Sequence, residues 1–252
     1  MEEMIRVENL KKYYKKTHAV DGVSFSIEKD SVFGVVGESG SGKTTIGKCI
    51  LGLETPTEGA VRRRAGRMQM IFQNPYASFN PALSIGTALR EVGAVHKLTR
   101  AETQQRVSQL LEQVSLTDDV LKRKPKEMSG GQLQRLAIVR ALLLRPEFIV
   151  ADEPVSALDV SVQAQVINLF ADLKKEYGLT ILFISHDLTI VEYICDTVAV
   201  VYRGHIVEMG EKEQIFGEPS HPYTKKLLAA RPGLERIVTK TLDTNEAPLY
   251  NI

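Results

Sequence analysis

Gly37-Glu38-Ser39-Gly40-Ser41-Gly42-Lys43-Thr44 fits the pattern G-x-x-x-x-G-K-[ST]. Glycines at this spacing let a backbone curl until successive N–H groups face one anion. A helix opening at Lys43 adds its positive N-terminal end. Lys43 is spaced to reach the β and γ phosphates of a nucleotide, and Thr44 to ligand Mg2+. Thr45 carries the nucleotide-binding set one residue further. The context is the one this chemistry needs: an apolar run at 32–36 before the loop and a helical pattern after it. A second cluster suits the first. Residues 148–151 are apolar and run into Asp152 and Glu153. A carboxylate at the end of a buried strand can hold Mg2+ through water, and the next can polarise an attacking water. Asp152 therefore reads as the metal-side acid and Glu153 as the general base. The two clusters describe a P-loop nucleotidase without saying which class.

The discriminating segment is Met128-Ser129-Gly130-Gly131-Gln132. Ser129 is a good N-cap, but two adjacent glycines weaken a helix start. A capped helix is the plain reading. Bare backbone at a positive helix end, brought close to an anion, is the functional one.

Elements must carry these residues. Strands are expected at 5–10, 23–28, 32–36 and 68–72, and a helix at 43–53. Residues 77–135 read as helical: Ser84 can cap one helix, and Thr99 with Glu102 forms a capping box. Beyond them strands and helices alternate: strand 148–152, helix 162–177, strand 180–185, helix 188–194, strand 197–202. That alternation argues for an α/β core with a parallel sheet. After about residue 234 the chain turns polar, and 235–252 are expected to form a loosely held tail.

Composition narrows the function classes. Lys+Arg number 32 against Asp+Glu 31, so no global basic field argues for nucleic acid. The basic clusters at Lys11, Lys12, Lys15, Lys16 and at Arg62, Arg63, Arg64, Arg67 read as solvated faces. Cys49 and Cys195 make neither a disulfide framework nor a zinc spacing and suit a reducing cytosol. No run reaches the ~18 apolar residues of a membrane span. No signal peptide is read at the N-terminus.

Over roughly residues 4–232 the chain resembles the nucleotide-binding subunit of an ABC transporter. Residues 37–44 are similar to its Walker A motif, and residues 129–132 to its signature, with Met128 where Leu is usual. Gln73 looks like the Q-loop glutamine. Asp152 and Glu153 look like Walker B and the catalytic glutamate. Ser156-Ala157-Leu158-Asp159 looks like the D-loop, and His186 like the switch histidine. Tyr14 sits where the family places an aromatic on adenine, with Tyr13 as its rival.

The resemblance implies a RecA-like P-loop NTPase core with a small antiparallel β subdomain and an inserted helical subdomain at about 77–135. It implies ATP and Mg2+ as ligands, with Thr44, Asp152 and Gln73 on the metal. It implies a head-to-tail sandwich with a second ABC ATPase subunit, a paralogue by preference. Ser129, Gly130, Gly131, Gln132 and Asp159 would then act on the partner's nucleotide, and His186 would hold the γ-phosphate and the attacking water. The segment between the P-loop and Gln73 is shorter than the family's usual one, so a trimmed antiparallel subdomain is expected.

His221-Pro222-Tyr223-Thr224-Lys225-Lys226-Leu227-Leu228, and Phe72-Gln73-Asn74-Pro75 upstream, resemble the peptide/nickel importer branch. Its members work with two transmembrane permeases and an extracytoplasmic binding protein, at the cytoplasmic face of the membrane. Peptide uptake is the first reading, and nickel or metallophore uptake the alternative. A soluble ABC ATPase acting on ribosomes or DNA is a third, but no second cassette, coiled coil or zinc module accompanies the motifs.

Overall fold

Strands β1 (Glu3–Tyr14) and β2 (Thr17–Glu28) form an antiparallel hairpin, and β3 (Val32–Val36) leads into helix α1 (Lys43–Leu51). The computed structural model describes residues 2–156 and 158–230, so Ala157 and the polar tail expected from residue 235 lie outside the described residues. Strand β4 (Glu58–Arg63) pairs with β1, closing a three-stranded antiparallel sheet in the order β2-β1-β4. The shortened segment before Gln73 therefore still supplies this sheet's third strand. β4 carries only one half-buried residue among five exposed ones, so no apolar alternation announces it.

β5 (Met68–Ile71) begins the main sheet, and β6 (Phe148–Asp152), β7 (Thr180–Ser185) and β8 (Thr197–Tyr202) join it, with β9 (His205–Glu211) at one edge. The order is β5-β6-β7-β3-β8-β9, parallel throughout except for β9. Every residue of β3, β6 and β7 is buried. Strands covered on both faces read as unbroken apolar runs, which made them legible. Their side chains alternate between two cores. Phe148, Val150, Leu182 and Ile184 face α1 and the antiparallel sheet. Ile149, Ala151, Ile181 and Phe183 face the other helices.

Those helices are α2 (Ile85–Val95), α3 (Arg100–Gln113), α4 (Gly130–Leu142), α5 (Val160–Tyr177) and α6 (Leu188–Ile194), followed by α7 (Lys212–Gly217) and α8 (Pro222–Ala229). The middle of the chain is less helical than its pattern predicts. α2 and α3 are joined to α4 by 3-10 turns at Asp118–Lys122 and Pro125–Glu127. The two N-caps read there do form: Thr87 N–H donates to Ser84 Oγ, and Thr99 and Glu102 cap each other reciprocally.

Parallel register fixes where chemistry can occur. Ile71 lies opposite Ala151, Asp152 opposite Ile184, and Val36 opposite both Ser185 and Val200. The residues that follow these strand ends, from the P-loop to Gln73, Glu153 and His186, therefore emerge along one rim of the sheet. In open α/β sheets this carboxyl edge is where ligands bind.

Candidate active site

The P-loop leaves β3 at Gly37. That residue takes φ 149°, and an added Cβ would meet Val201 O at 2.1 Å. Gly42, just before α1, has φ 106°, and its Cβ would meet Ala19 O at 2.2 Å. Left-handed backbone in contact with neighbouring carbonyls restricts both positions to glycine. β2 and the β8–β9 turn brace the loop from outside, with Gly204 N–H donating to Ser41 O at 3.0 Å.

Lys43 is 5% exposed. Its Nζ donates to Gly37 O at 2.7 Å and Glu38 O at 2.8 Å. Burial pushes its pKa down, against the pull of Glu153, Asp152 and Glu38. Next to it, Thr44 Oγ1 donates to Asp152 Oδ1 at 2.9 Å. Burial raises the Asp152 carboxyl. The Thr44 bond opposes that shift, and the adjacent Glu153 charge adds to it.

Glu153 sits at φ 45°, in the left-handed region that a glutamate adopts at a cost of order 1–3 kcal/mol. Its N–H is tied to Ile184 O at 2.9 Å. This bend turns the carboxylate out of the strand. Gln73 Nε2 donates to Glu153 Oε2 at 2.8 Å, and His186 Nδ1 lies 3.3 Å from the same oxygen. Two residues, each following its own parallel strand, thus converge on the carboxylate that follows a third. Asp187 next to the histidine caps α6 by accepting from Thr189 N–H and Ile190 N–H, which anchors the start of the helix.

These groups open onto a cleft of about 890 Å3, within the size range of small-molecule sites. Gly37, Ser39, Gly40, Gly42, Lys43, Thr44, Thr45, Gln73, Glu153 and His186 line it. Thr17, His18, Ala19 and Arg203, which no motif marked, line it too, as does Leu227 from the segment that resembles the importer branch. They come from the β1–β2 hairpin, the β8–β9 turn and α8, which only the tertiary fold carries to the P-loop. Ser41 and Asp152 are buried and do not line it.

Other residues lie apart from the cleft. Ser129, Gly131 and Gln132 do not line it. Ser129 Oγ accepts the Gln132 N–H while Gln132 Oε1 accepts the Ser129 N–H, a closed capping box at the start of α4. Gly130 instead lines an adjoining groove with Gln73, Glu153, Ser156, Leu158 and His186, and a Cβ there would meet nothing. Asp159 caps α5 by accepting the Val162 N–H at 3.0 Å. Tyr14 also stands away from the cleft. It is 41% exposed, with Lys12 Nζ over its ring at 4.9 Å. Tyr13 stacks on the cleft-lining His18 at 4.0 Å and donates to Asp21 Oδ1 at 2.7 Å. Successive residues of a strand face opposite ways, so only one of the two can lie on the cleft side.

Comparison with known proteins decides the family. The family model described as ABC transporter matches residues 20–156. The chain belongs to the ABC transporter family. A second model, the oligopeptide/dipeptide transporter C-terminal region, matches residues 207–248 of this cassette. The cassette is 47% identical over 253 residues to the dipeptide transport ATP-binding protein of Haemophilus influenzae, covering 89% of this chain and 77% of that one. It is 46% identical over 253 residues to the oligopeptide transport ATP-binding protein of Bacillus subtilis, covering 92% and 83%. Among solved structures it is similar to the dimeric post-hydrolysis state of an ATP-binding cassette bound to ADP and Pi, at 26% identity and TM-score 0.75, covering 83% of this chain and 99% of that one.

The residues fit a magnesium nucleotide. Ser41 Oγ is buried without a hydrogen-bond partner among the described residues. Gly40 faces open space. Lys43 holds its ammonium against backbone carbonyls that a phosphate could replace as partner. No described helix is long and apolar enough to cross a membrane.

Proposed function

We propose that this cassette is the ATP-hydrolysing subunit of an importer that takes up peptides through membrane permeases. The observation that supports the chemistry is the convergence of Gln73 and His186 on Glu153, beside the Lys43–Thr44–Asp152 cluster. In this reading the P-loop N–H groups and Lys43 bind the β and γ phosphates of ATP. Thr44 and Asp152 hold Mg2+, which when bound neutralises phosphate charge. Glu153 accepts the proton of the attacking water at Oε2. Gln73 and His186 orient that carboxylate and the water, so the gain is positional and electrostatic.

Ser129, Gly130 and Gly131 serve a neighbouring subunit's nucleotide. Support comes from their absence from the lining of the chain's own cleft, from the open space at Gly130, and from the dimeric state of the similar ADP- and Pi-bound cassette. Gln73 opens the groove lined by Asn74, Pro75 and the half-exposed Tyr76, a position from which it can report on a membrane partner. Peptide cargo is supported by the C-terminal match and by the names of both relatives.

The test is affinity purification of tagged Glu153→Gln chain from its native membranes with Mg2+-ATP present. Two permeases and a second ATPase subunit are expected. Ribosomal proteins or nucleic acid, without membrane proteins, would overturn the transport reading.

A further inference from the structure

We propose that Tyr223 is a positioning residue of the nucleotide site: its hydroxyl holds the Gly37–Glu38 peptide, and that peptide holds the Lys43 ammonium. The inference rests on the nucleotide reading above and adds a role for the C-terminal segment. Lys43 Nζ donates to the Gly37 carbonyl at 2.7 Å. The N–H at the other end of that same peptide unit, on Glu38, donates to the Tyr223 hydroxyl at 3.2 Å. One peptide plane is therefore gripped at both polar ends. Rotating it would turn the carbonyl away from Lys43 and the N–H away from Tyr223 together. Gly37 has no side chain to resist that rotation, so the restraint must come from outside the loop. Hydrogen bonds in series also polarise one another.

The tyrosine is supported for this task. It is 9% exposed, and its ring tilts onto Tyr202 with centroids 4.2 Å apart. Glu208 on β9 accepts from Ser220 N–H and Oγ at 2.7 and 2.8 Å and from His221 N–H at 3.1 Å. His221 Nδ1 in turn accepts the Tyr223 N–H at 3.1 Å. Leu227, one turn along α8, lines the cleft itself. A helix 185 residues beyond the P-loop thus ends on it. The segment lies within the stretch matched by the oligopeptide/dipeptide C-terminal region. That region thereby gains a direct line to nucleotide affinity.

Tyr223→Phe keeps the ring and removes only the hydroxyl. Three quantities are read on the full chain: Mg2+-ATP affinity by titration calorimetry, kcat at saturating ATP, and exchange of the Glu38 amide by NMR in the nucleotide-free protein. The variant is expected to weaken ATP binding about three- to tenfold, the size of one lost neutral hydrogen bond, with kcat at saturating ATP within about twofold. Glu38 amide exchange should quicken at least about tenfold while core-strand amides stay unchanged. Unchanged affinity, in a wild type whose ATP binding is lost with Lys43→Ala, would overturn the role of Tyr223 and leave the P-loop reading intact. No Lys43-dependent ATP binding in the wild type would instead sink the nucleotide reading. Should Tyr223→Phe fail to fold, Glu38 in the wild type decides: a freely exchanging amide there contradicts the proposal.

Discussion

At the residue scale, Asp152 is held under opposing demands. Burial raises its carboxyl above the ordinary aspartate range, and the Thr44 hydroxyl only partly offsets this. A carboxyl whose pKa is raised on folding destabilises the fold above its unfolded value. The penalty is relieved as pH falls through the folded value. Asp152→Asn keeps the shape and the Thr44 partner but removes the charge. The nucleotide-free variant should melt higher at pH 7, by about 2–4 °C for each kcal/mol relieved. The gain should shrink as the pH is lowered toward the folded value. Scanning calorimetry of both proteins across that range checks it, and a lower midpoint at pH 7 would contradict the account. In the proposed reading the trade is the usual one at a working site, where stability is given up for a charge that would hold a metal. Most residues of this site were legible because their types are chemically committed. Lysine after a glycine loop, or paired acids after an apolar strand, have few other uses. His18, Arg203 and Leu227 were not, because each reaches the cleft only through long-range packing.

At the element scale, two features carry predictions. Gly131 lies where α4 meets α5, and an added Cβ would come within 2.8 Å of Val162 Cγ1. Its glycine therefore has a packing reason that needs no neighbouring subunit. Gly131→Ala should destabilise the chain by about 1–3 kcal/mol, as overpacking does. Val162→Ala in the same chain should restore the thermal midpoint, and failure of that rescue would remove the packing reason. The second feature is Glu208. Burial would raise its pKa, but the nearby Thr224 hydroxyl and the Ser220 and His221 donors bring it down to about 2. A carboxyl lowered on folding stabilises above its unfolded value, and that contribution fades as pH falls from the ordinary glutamate range toward 2. Glu208→Gln loses the charge-assisted bonds at neutral pH. Amides of residues 220–229 should then exchange faster while β6 and β7 do not. Equal protection of that segment would show that Glu208 does not clamp it. The buried parallel strands were readable as apolar runs. β4 and β9 were not, since exposed antiparallel strands carry polar side chains on the solvent side. The 77–135 stretch was over-read as helix because the apolar residues of the 3-10 turns, such as Val120, fit a helical period locally.

At the scale of the whole molecule, one chain in the proposed reading presents half of two sites. Its own P-loop cleft carries the lysine, the metal-side acid and the base. Its α4 start lies outside that cleft's lining, on the adjoining groove, with Gly130 uncovered. A lone cassette is therefore expected to bind ATP and to hydrolyse it slowly. In the proposed sandwich, assembly with a second cassette would supply the missing donors at the γ-phosphate. This division was visible only as an oddity in the sequence, two glycines at a helix start, because no single-chain pattern says which neighbour they serve. Gln73 and His186 both meet the Glu153 carboxylate, so the proposed hydrolysis rests on it. The direct measurement is ATP turnover by the assembled complex carrying Glu153→Gln, alongside its ATP affinity. Turnover should fall at least about 10²-fold, the contribution of a positioned base, with ATP affinity retained. Turnover equal to that of the wild-type complex would contradict the assignment of Glu153 as the base.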